Sequence, residues 1–252
     1  MAIIAVANHK GGVGKTTTVF NLAHELAGSG RRVLMVDTDY QSSLTNMAGC
    51  ADAPGHNIAQ VMTGAPMHSV IVDLRAGLQL VPSDVELANT ELALIGKIGR
   101  ENILRRALAT VAGDYDVILI DCAPSLGLMT VNALAAAHGV IVPLQPTSTD
   151  LRALDLFLAT IGDVRTQINP GLQLVGLALM FYDVRYSLHG EAMQALKDAG
   201  LPIVGMIGRS VKVAEASGAR MAIGEYEPGN PQTASYKQLT EAVITWLEKQ
   251  QP

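Results

Sequence analysis

The chain has 252 residues, of which 49% are hydrophobic, 16% charged and 4% aromatic. This composition excludes a disordered chain and fits an aliphatic interior packed between helices and a sheet, within the size of one α/β domain. The 18 Lys and Arg against 23 Asp and Glu give a formal charge of −5, so any nucleic-acid binding requires a local basic patch.

No apolar run reaches the roughly 18 residues that span a bilayer, and the start "MAIIAVANHK" has neither a basic n-region nor a cleavage site. We therefore expect a cytoplasmic protein. Cys50 and Cys122 lie far apart and have no neighbour at metal-ligand spacing, which predicts buried thiols. The following histidines also lack metal-site spacing and are expected at the surface or satisfied in the core: His24, His56, His68, His138 and His189.

Seven short aliphatic runs alternate with stretches of helical period. Near-continuous apolar strands joined by helices predict an α/β fold, in which a mostly parallel twisted sheet lies between two layers of helices. No repeat or Pro/Gly linker divides the chain, so we expect one domain over 1–252. The predicted strands are 2–8, 32–37, 78–83, 115–122, 139–144, 172–180 and 202–207.

The first predicted strand leads into "NHKGGVGKTT", residues 8–17, and then into a helix. This segment follows the phosphate-loop pattern G-x-x-x-x-G-K-[ST], except that His9 replaces the first glycine. Backbone N–H groups and the helix N-terminus would face phosphates, and Lys15 would reach the β- and γ-phosphates. Thr16 would bind Mg²⁺ and Thr17 the α-phosphate. The rest of the predicted loop is Gly11, Gly12, Val13 and Gly14.

The sequence after the loop indicates where the first helix ends and where an irregular segment begins. We expect the first helix to end at Gly28 and Gly30, because glycine adopts the left-handed conformation that closes helices. The segment from Ser42 to about Gly77 is the least regular part of the chain.

Three aspartates stand at predicted strand ends. Asp121 ends the apolar run "YDVILID", where a carboxylate can meet a nucleotide-bound metal ion. Asp37 and Asp39 end the second strand, and residues two apart on an extended chain point the same way. The sequence therefore predicts a magnesium–nucleotide site at the carboxyl edge of the sheet.

Several segments together resemble the deviant Walker A ATPases of the ParA/MinD superfamily, in particular the ParA branch. They are "KGGVGKTT", "VLMVDTDYQSSLT", "YDVILIDCAPSLG", "TVNAL", "MFYDVR" and "VAEA", and they extend over nearly the whole chain. The resemblance implies an ATPase that uses ATP and Mg²⁺ and forms a homodimer with ATP sandwiched between subunits. Lys10, the extra lysine of the loop, corresponds to the signature lysine that reaches the phosphates of the partner's ATP. Dimerisation would then depend on ATP, because a monomer leaves this cation without its anion.

The resemblance also implies roles for the carboxylates. Asp39 positions the attacking water, while Asp37 and Asp121 are switch carboxylates around Mg²⁺. Asn132 and Arg185 match family positions to which we assign no chemistry. Phosphoryl transfer of this kind depends on positioning and charge stabilisation. The expected catalytic residues are Lys10, Lys15 and Asp39.

The chain departs from the family pattern at three places. Where the family often has Pro-Gln-Gly-Asn after the catalytic aspartate, residues 40–43 read Tyr-Gln-Ser-Ser, so the proline and the glycine are missing. Thr147 and Ser148 replace a Glu-Tyr pair. Gly208 replaces the proline of the Ile-Pro-Arg step beside adenine, so we expect Gly208 and Arg209 to contact the nucleotide without it.

The expected DNA contacts also differ. ParA dimers bind DNA through basic residues near the carboxyl terminus, commonly in a DP[RK]S-like segment, whereas "EPGNP" at 227–231 has no base. A dimer would double any remaining patch. The candidate DNA contacts are Lys197, Arg209, Lys212 and Arg220, with Lys237 also available.

The leading hypothesis is a ParA-like ATPase on the nucleoid, which binds nonspecific double-stranded DNA and positions a plasmid, chromosome origin or protein assembly. A ParB-like partner or adaptor would stimulate its slow hydrolysis.

The main alternative is a MinD-like membrane switch. However, the tail "LTEAVITWLEKQQP" has a net charge of −1, and its apolar stripe is expected to pack on the domain. We therefore expect no membrane partner. Two further alternatives are an iron–sulfur reductase using Cys50 and Cys122, and an amidoligase or synthetase, which normally carries extra insertions.

Overall fold

A computed structural model describes residues 1–51, 55 and 57–250 of the chain. Its centre is one eight-stranded sheet with the order β3-β4-β2-β5-β1-β6-β7-β8, parallel except for the edge pair β3–β4. The strands are β1 Ala2–Val6, β2 Val33–Thr38, β3 Val72–Arg75, β4 Leu78–Val81, β5 Val117–Cys122, β6 Gly139–Leu144, β7 Gln173–Met180 and β8 Ile203–Ile207.

Helices connect the parallel strands and cover both faces of the sheet. The α-helices are α1 Lys15–Gly28, α2 Ser43–Met47, α3 Ile58–Thr63, α4 Glu86–Ala93, α5 Ile103–Ala109, α6 Leu128–Ala136, α7 Ser148–Gln167, α8 Ser187–Asp198, α9 Val211–Gly218, α10 Ile223–Tyr226 and α11 Pro231–Lys249. Three short 3₁₀ turns lie at Met67–Val70, Arg100–Asn102 and Ala112–Asp114.

Two hydrophobic cores lie on opposite faces of the sheet. Side chains alternate across each strand, so Ile3 and Ala5 of β1 join one core and Ile4 and Val6 join the other. The first core includes buried residues of α3, α5, α6 and α7, and the second includes those of α1 and α11. The predicted three-layer α/β architecture is confirmed.

All seven predicted strands are present, and each end lies within two residues of its predicted position. The sequence did not reveal β3, whose four residues "VDLR" alternate between half-buried and exposed positions. A short edge strand faces water on one side and lacks the apolar run that marked the other strands.

The irregular region after Ser42 contains more helix than its sequence suggested, since α2 and α3 both lie in it. Residues 52–54 and 56 lie outside the described residues, and with them the expectation for His56. At the end of α1, Gly30 has a φ of 85°, as predicted for a helix-closing glycine. Gly28 is instead the last helical residue and is absent from the positive-φ glycines of the described chain, so its predicted closing role was wrong.

The apolar stripe of α11 packs on the domain, as the sequence suggested. Leu239 and Val243 are fully buried and Leu247 nearly so, all within the core that contains α1. Within residues 1–51, 55 and 57–250, none of the helices combines the length and apolarity needed to span a bilayer.

Candidate nucleotide site

The phosphate loop lies between β1 and α1 at the carboxyl edge of the sheet, as predicted. Gly12 and Gly14 have φ of 72° and 85°, which favour glycine. At Gly14 an added Cβ would also lie 2.7 Å from the Cε of Met180. His9 occupies the position where strict phosphate loops have glycine. The centre of its ring lies 6.2 Å from the centre of the Phe157 ring in α7.

A cavity of about 480 Å³ opens beside this loop. It brings residues of the loop and the first turn of α1 together with residues that follow β2, β5 and β7. Its lining residues are Gly11, Gly12, Gly14, Lys15, Thr16, Thr17, Asp39, Gln41, Ser43, Met47, Pro124 and Phe181.

Lys15 lies at the first position of α1 and is largely buried. Burial lowers the pKa of its ammonium, while the nearby charge of Asp121 opposes that shift. Its Nζ donates to the carbonyl oxygen of Lys10 at 3.0 Å. A cation that is short of counter-charge at a helix N-terminus is a suitable partner for a phosphate.

The side chain of Lys10 points elsewhere and does not line the cavity. Its Nζ lies 2.8 Å from the Oδ2 of Asp150 in the first turn of α7. Sequence analysis missed Asp150, because a single acid in a helix far along the chain carries no signal of its own. The two lysines of the loop thus lie in different environments, Lys15 at the cavity and Lys10 beside Asp150.

Asp37 and Asp121 are paired residues on the adjacent parallel strands β2 and β5. Asp37 accepts hydrogen bonds from the N–H and hydroxyl of Thr45 at 2.9 and 2.7 Å, and from the N–H of Asp39 at 3.1 Å. Burial raises the pKa of Asp37 to about 6. It also raises the pKa of Asp121 well above its usual range, and the charge of Asp37 adds to the effect.

Both carboxylate oxygens of Asp121 are buried and lack a hydrogen-bond partner among the described residues. A buried acid whose oxygens have no partner within hydrogen-bonding distance, next to a second acid and close to the hydroxyl of Thr16, which lowers its pKa, fits a site for a hard divalent cation. The donor set of Thr16, Asp37 and Asp121 therefore suits Mg²⁺. Asp37 has its oxygens engaged by Thr45 and Asp39, so it can act by orienting the loop after β2.

Asp39 follows β2 and lines the cavity, whereas Asp37, which was expected to point the same way, is fully buried and does not line it. Its Oδ1 accepts from the N–H of Gln41 at 2.9 Å, which forms a tight turn in place of the Pro-Gln-Gly-Asn segment. Ser42 takes a φ of 55°, a conformation that a glycine in the family pattern would adopt readily. Tyr40 is exposed.

Phe181, after β7, lines the cavity, whereas Gly208 and Arg209, which follow β8 and were expected to contact the nucleotide, do not line it. Phe181 lines the cavity with a φ of 56°, and the guanidinium carbon of Arg209 lies 5.2 Å from the centre of its ring. The N–H of Gly208 donates to the Oε1 of Gln232, in the first turn of α11, at 2.7 Å. A proline at 208 would have no N–H for this bond, so Gly208 and Gln232 form a matched pair. Neither Phe181 nor Gln232 was singled out from the sequence.

The structure separates the candidate DNA contacts. Arg209 follows the carboxyl end of β8, and Lys212 lies in the first turn of α9, 2.8 Å from Glu215. Arg220 follows α9, and its side chain lies against Gly49. Lys197 ends α8, which returns the chain to the amino end of β8, so it lies at the opposite edge of the sheet. Lys197 is therefore not brought together with Arg209.

Two other family-matched residues have structural partners. Asn132 is fully buried and its side chain joins α6 to the start of α5 through the Leu104 N–H and the Arg100 carbonyl. Arg185 is largely exposed and pairs with Asp183, whose pKa its hydrogen bonds lower to about 2.

Comparison with known proteins identifies the family of the chain. Residues 1–174 match a protein family described as an AAA domain. The chromosome-partitioning ATPase Soj of Thermus thermophilus is 36% identical over 98% of this chain and 96% of its own. The chromosome partitioning protein ParA of Myxococcus xanthus is 39% identical over 77% of this chain and 70% of its own. The chain belongs to the ParA-type family of P-loop partition ATPases.

Solved structures of similar proteins contain nucleotide and metal. A Mycobacterium smegmatis protein described as cobyrinic acid a,c-diamide synthase, with bound ATP analogue and magnesium, is 36% identical with a TM-score of 0.85 over 98% of this chain and 96% of its own. A Cyanothece McdA structure in complex with ATP has a TM-score of 0.89 over 97% and 96% of the two chains, and at 21% identity it shows the fold alone. Structures of this related protein thus contain an adenine nucleotide, either an ATP analogue or ADP, together with magnesium, as expected for an ATPase that uses ATP and Mg²⁺.

The Mycobacterium structure also bears on the amidoligase alternative. We expected an enzyme of that kind to carry insertions that this chain lacks. The described synthase is instead covered over 96% of its length, so chain length does not separate the two activities.

Proposed function

We propose that this chain is an ATP-dependent switch that dimerises around two ATP molecules, binds nonspecific DNA as a dimer and positions a cargo on the nucleoid. The proposal rests on the different positions of the two lysines in the phosphate loop. Lys15 lines the phosphate cavity, while Lys10 lies outside it with a partly exposed side chain. A second cation beside a phosphate loop that already has its own lysine suits an anion supplied by another subunit.

In the proposed reaction Lys15 and the N–H groups of the loop hold the β- and γ-phosphates. Asp39, at the edge of the cavity, orients the attacking water, and Lys10 of the partner neutralises charge that develops on the transferred group. Mg²⁺ held near Thr16 and Asp121 would neutralise phosphate charge. Hydrolysis removes the γ-phosphate that Lys10 of the other subunit contacts, so it dissolves the dimer. A ParB-like partner or adaptor would set the timing by stimulating this step.

DNA binding is proposed to involve Arg209, Lys212 and Arg220, with the two copies of a dimer doubling the patch. Lys212 forms an exposed ion pair with Glu215 at 2.8 Å, and the chain carries a net charge of −5, so the expected affinity is modest and strongly dependent on salt. Lys197 lies at the opposite edge of the sheet and serves as an internal control for this assignment.

Three observations weigh against the alternative functions. A membrane anchor would have to release the α11 stripe from the core, where Leu239 and Val243 are fully buried. An iron–sulfur cluster shared at a subunit surface is not compatible with Cys122, which lies in the core. An amide-forming enzyme that takes ammonia from glutamine needs a reactive thiolate, whereas burial raises the pKa of both Cys50 and Cys122.

The test is binding to nonspecific double-stranded DNA with ATP, with ADP and without nucleotide, over a salt series. We expect the wild-type protein to bind DNA with ATP but not with ADP or without nucleotide, and we expect this binding to weaken steeply as the salt concentration rises. The Lys10→Ala variant should not bind DNA even with ATP. Arg209→Ala and Lys212→Ala should weaken binding, and Lys197→Ala should not. If ATP drives dimerisation but DNA does not bind at low salt, the DNA part of the proposal is wrong.

A further inference from the structure

A second cavity, of about 470 Å³, opens at the amino edge of the sheet, opposite the edge that carries the phosphate loop. It lies where the last turns of α1 meet the end of β3, α10 and the first half of α11. Helix α1 joins the two places, because it begins at the phosphate loop and ends beside this cavity at Gly28. The volume lies within the range of small-molecule sites.

Four charged side chains line this cavity, and their signs balance. Glu25 and Glu225 are acids, while Arg75 and Lys237 are bases. Arg75 already has partners, since it forms an ion pair with Glu225 and donates to the carbonyl oxygen of His24 at 3.2 Å. Glu25 and Lys237 take part in none of the ion pairs of the described residues, so one carboxylate and one ammonium remain available to a ligand.

The carboxylate of Glu25 is held at the wall of the cavity. Its Oε1 lies so close to Gly224 that a Cβ added at that position would be 2.5 Å from it. Burial raises the pKa of Glu25, while the nearby charges of Lys237 and Arg75 oppose this shift. A partly buried carboxylate without an ion-pair partner would be stabilised by a cationic group placed in the cavity.

The ring of His24 supplies a third unsatisfied group. Its side chain is only 10% exposed, and its Nδ1 is buried without a hydrogen-bond partner in the described part of the chain. This atom lies 3.2 Å from a carboxylate oxygen of Glu225, but the two are not aligned as a hydrogen bond. Burial and the charge of Arg75 lower the pKa of His24 to about 3, so the ring is neutral at physiological pH. Buried polar atoms normally have a partner, and a ligand in the cavity could provide one.

The lining favours one class of ligand. An anion alone would meet the like charge of Glu25, and a cation alone would meet that of Lys237. A molecule that carries both an ammonium and a carboxylate matches the two available charges at once. Within residues 1–51, 55 and 57–250, His24 and the two glutamates are not arranged to hold a metal ion. The other walls are short side chains that leave room for a small ligand, among them Ala27, Ala76 and Ala222.

We propose that this cavity binds a free α-amino acid. The ammonium of the ligand lies between Glu25 and the Nδ1 of His24, and its carboxylate faces Lys237. The cavity shares no lining residue with the nucleotide site, so the proposal does not depend on the proposed dimer or on DNA binding.

The test is saturation-transfer difference NMR on the full chain with a mixture of the standard L-amino acids. Saturating ADP and Mg²⁺ are present, so that the nucleotide cavity is occupied. We expect one or a few of the amino acids to give signals and to bind with dissociation constants of about 1 mM or lower in titration calorimetry. The amine and the carboxylic acid that correspond to the bound amino acid each lack one charge, and each should bind at least about tenfold more weakly.

Matched variants test the assignment of the residues. Lys237→Met and Glu25→Gln should each raise the dissociation constant at least about tenfold, because each removes one of the two available charges. Lys249→Met and Glu241→Gln remove exposed charges of the same types that lie outside the cavity on α11, and they should leave the constant unchanged. Thermal unfolding checks that each variant is folded. Lys237 is exposed, so its substitution is expected to leave the fold intact.

Three results would overturn the proposal. The first is that none of the standard amino acids binds wild type at concentrations up to about 10 mM, tenfold above the expected limit. The second is that the amine or the carboxylic acid binds as tightly as the amino acid, since the cavity would then recognise a single charge. The third is that Lys237→Met and Glu25→Gln both bind the amino acid as wild type does, which would place the site elsewhere on the protein.

Discussion

Asp37 and Asp121 lie side by side on β2 and β5 and are both buried, but in the described part of the chain three hydrogen bonds reach the carboxylate of Asp37, whereas neither oxygen of Asp121 has a partner within hydrogen-bonding distance. The unsatisfied member of the pair, Asp121, is the stronger candidate for direct contact with a cation. This asymmetry could not be read from two similar strand ends in the sequence. It leads to a prediction that can be tested without measuring activity.

Asp121→Asn is expected to stabilise the nucleotide-free protein at neutral pH. Because the native state raises the pKa of Asp121, it binds that proton more tightly than the unfolded chain does. The wild-type free energy of unfolding therefore falls as pH rises from the ordinary value of 3.8 toward the native pKa, and the variant escapes this loss. Thermal unfolding across pH should show the variant higher by several degrees at neutral pH, with the gap closing in acid; about 1 kcal/mol corresponds to roughly 2–4 °C at this size.

Added Mg²⁺ and ATP should make wild type more stable than the variant, because only wild type has the Asp121 carboxylate to bind the cation. The reversal is the control for the assignment of Asp121. An Asp121→Asn protein that is stabilised by Mg²⁺ and ATP as much as wild type would contradict it.

Asp39→Ala should separate hydrolysis from association. Asp39 reaches the cavity, and in the described chain its carboxylate accepts a hydrogen bond only from the N–H of Gln41, so its loss should leave phosphate binding by Lys15 in place. We expect ATP turnover to fall about 10²-fold or more while ATP-dependent dimers persist. Phosphate release and sedimentation measure the two effects, and a variant that neither hydrolyses ATP nor dimerises would indicate a structural role instead.

Gly208→Pro should be harmful on its own and tolerated with a second change. Proline removes the N–H that Gln232 accepts at 2.7 Å and places ring atoms where a Cβ would already lie 2.9 Å from the Gln232 Nε2. The single variant should lose about 1 kcal/mol of stability and bind ATP more weakly. Gln232→Gly in the proline background should recover most of both losses. Additive effects of the two substitutions in a double-mutant cycle would show that the pair is not coupled.

Leu239→Ala tests whether α11 belongs to the core. Leu239 is fully buried between α11 and the sheet, so its truncation should lower the free energy of unfolding by about 2–5 kcal/mol. Gln238→Ala, on the exposed side of the same helix, should change it by about 0.5 kcal/mol or less. Chemical denaturation gives both values. If α11 were a membrane anchor that leaves the domain, the two substitutions would have similarly small effects.

Local patterns in the sequence determined much of this protein. The aliphatic runs gave seven strands because buried parallel strands need apolar side chains on both faces. The loop "GGVGKT" predicted the phosphate site because the spacing of its glycines, lysine and threonine is set by the chain's own geometry. The aspartates at strand ends followed in the same way, since the carboxyl ends of parallel strands meet at one edge.

Only the tertiary structure decided which distant residues meet these local features. Asp150 lies opposite Lys10 because β6 places the start of α7 beside the phosphate loop, and Gln232 replaces the missing proline because α11 begins next to the end of β8. The same folding moves Lys197 to the edge of the sheet opposite Arg209, although the two are only 12 positions apart. Such pairings depend on the order of the strands in the sheet and on the direction of the helices. Neither can be predicted from the side chains of a single segment.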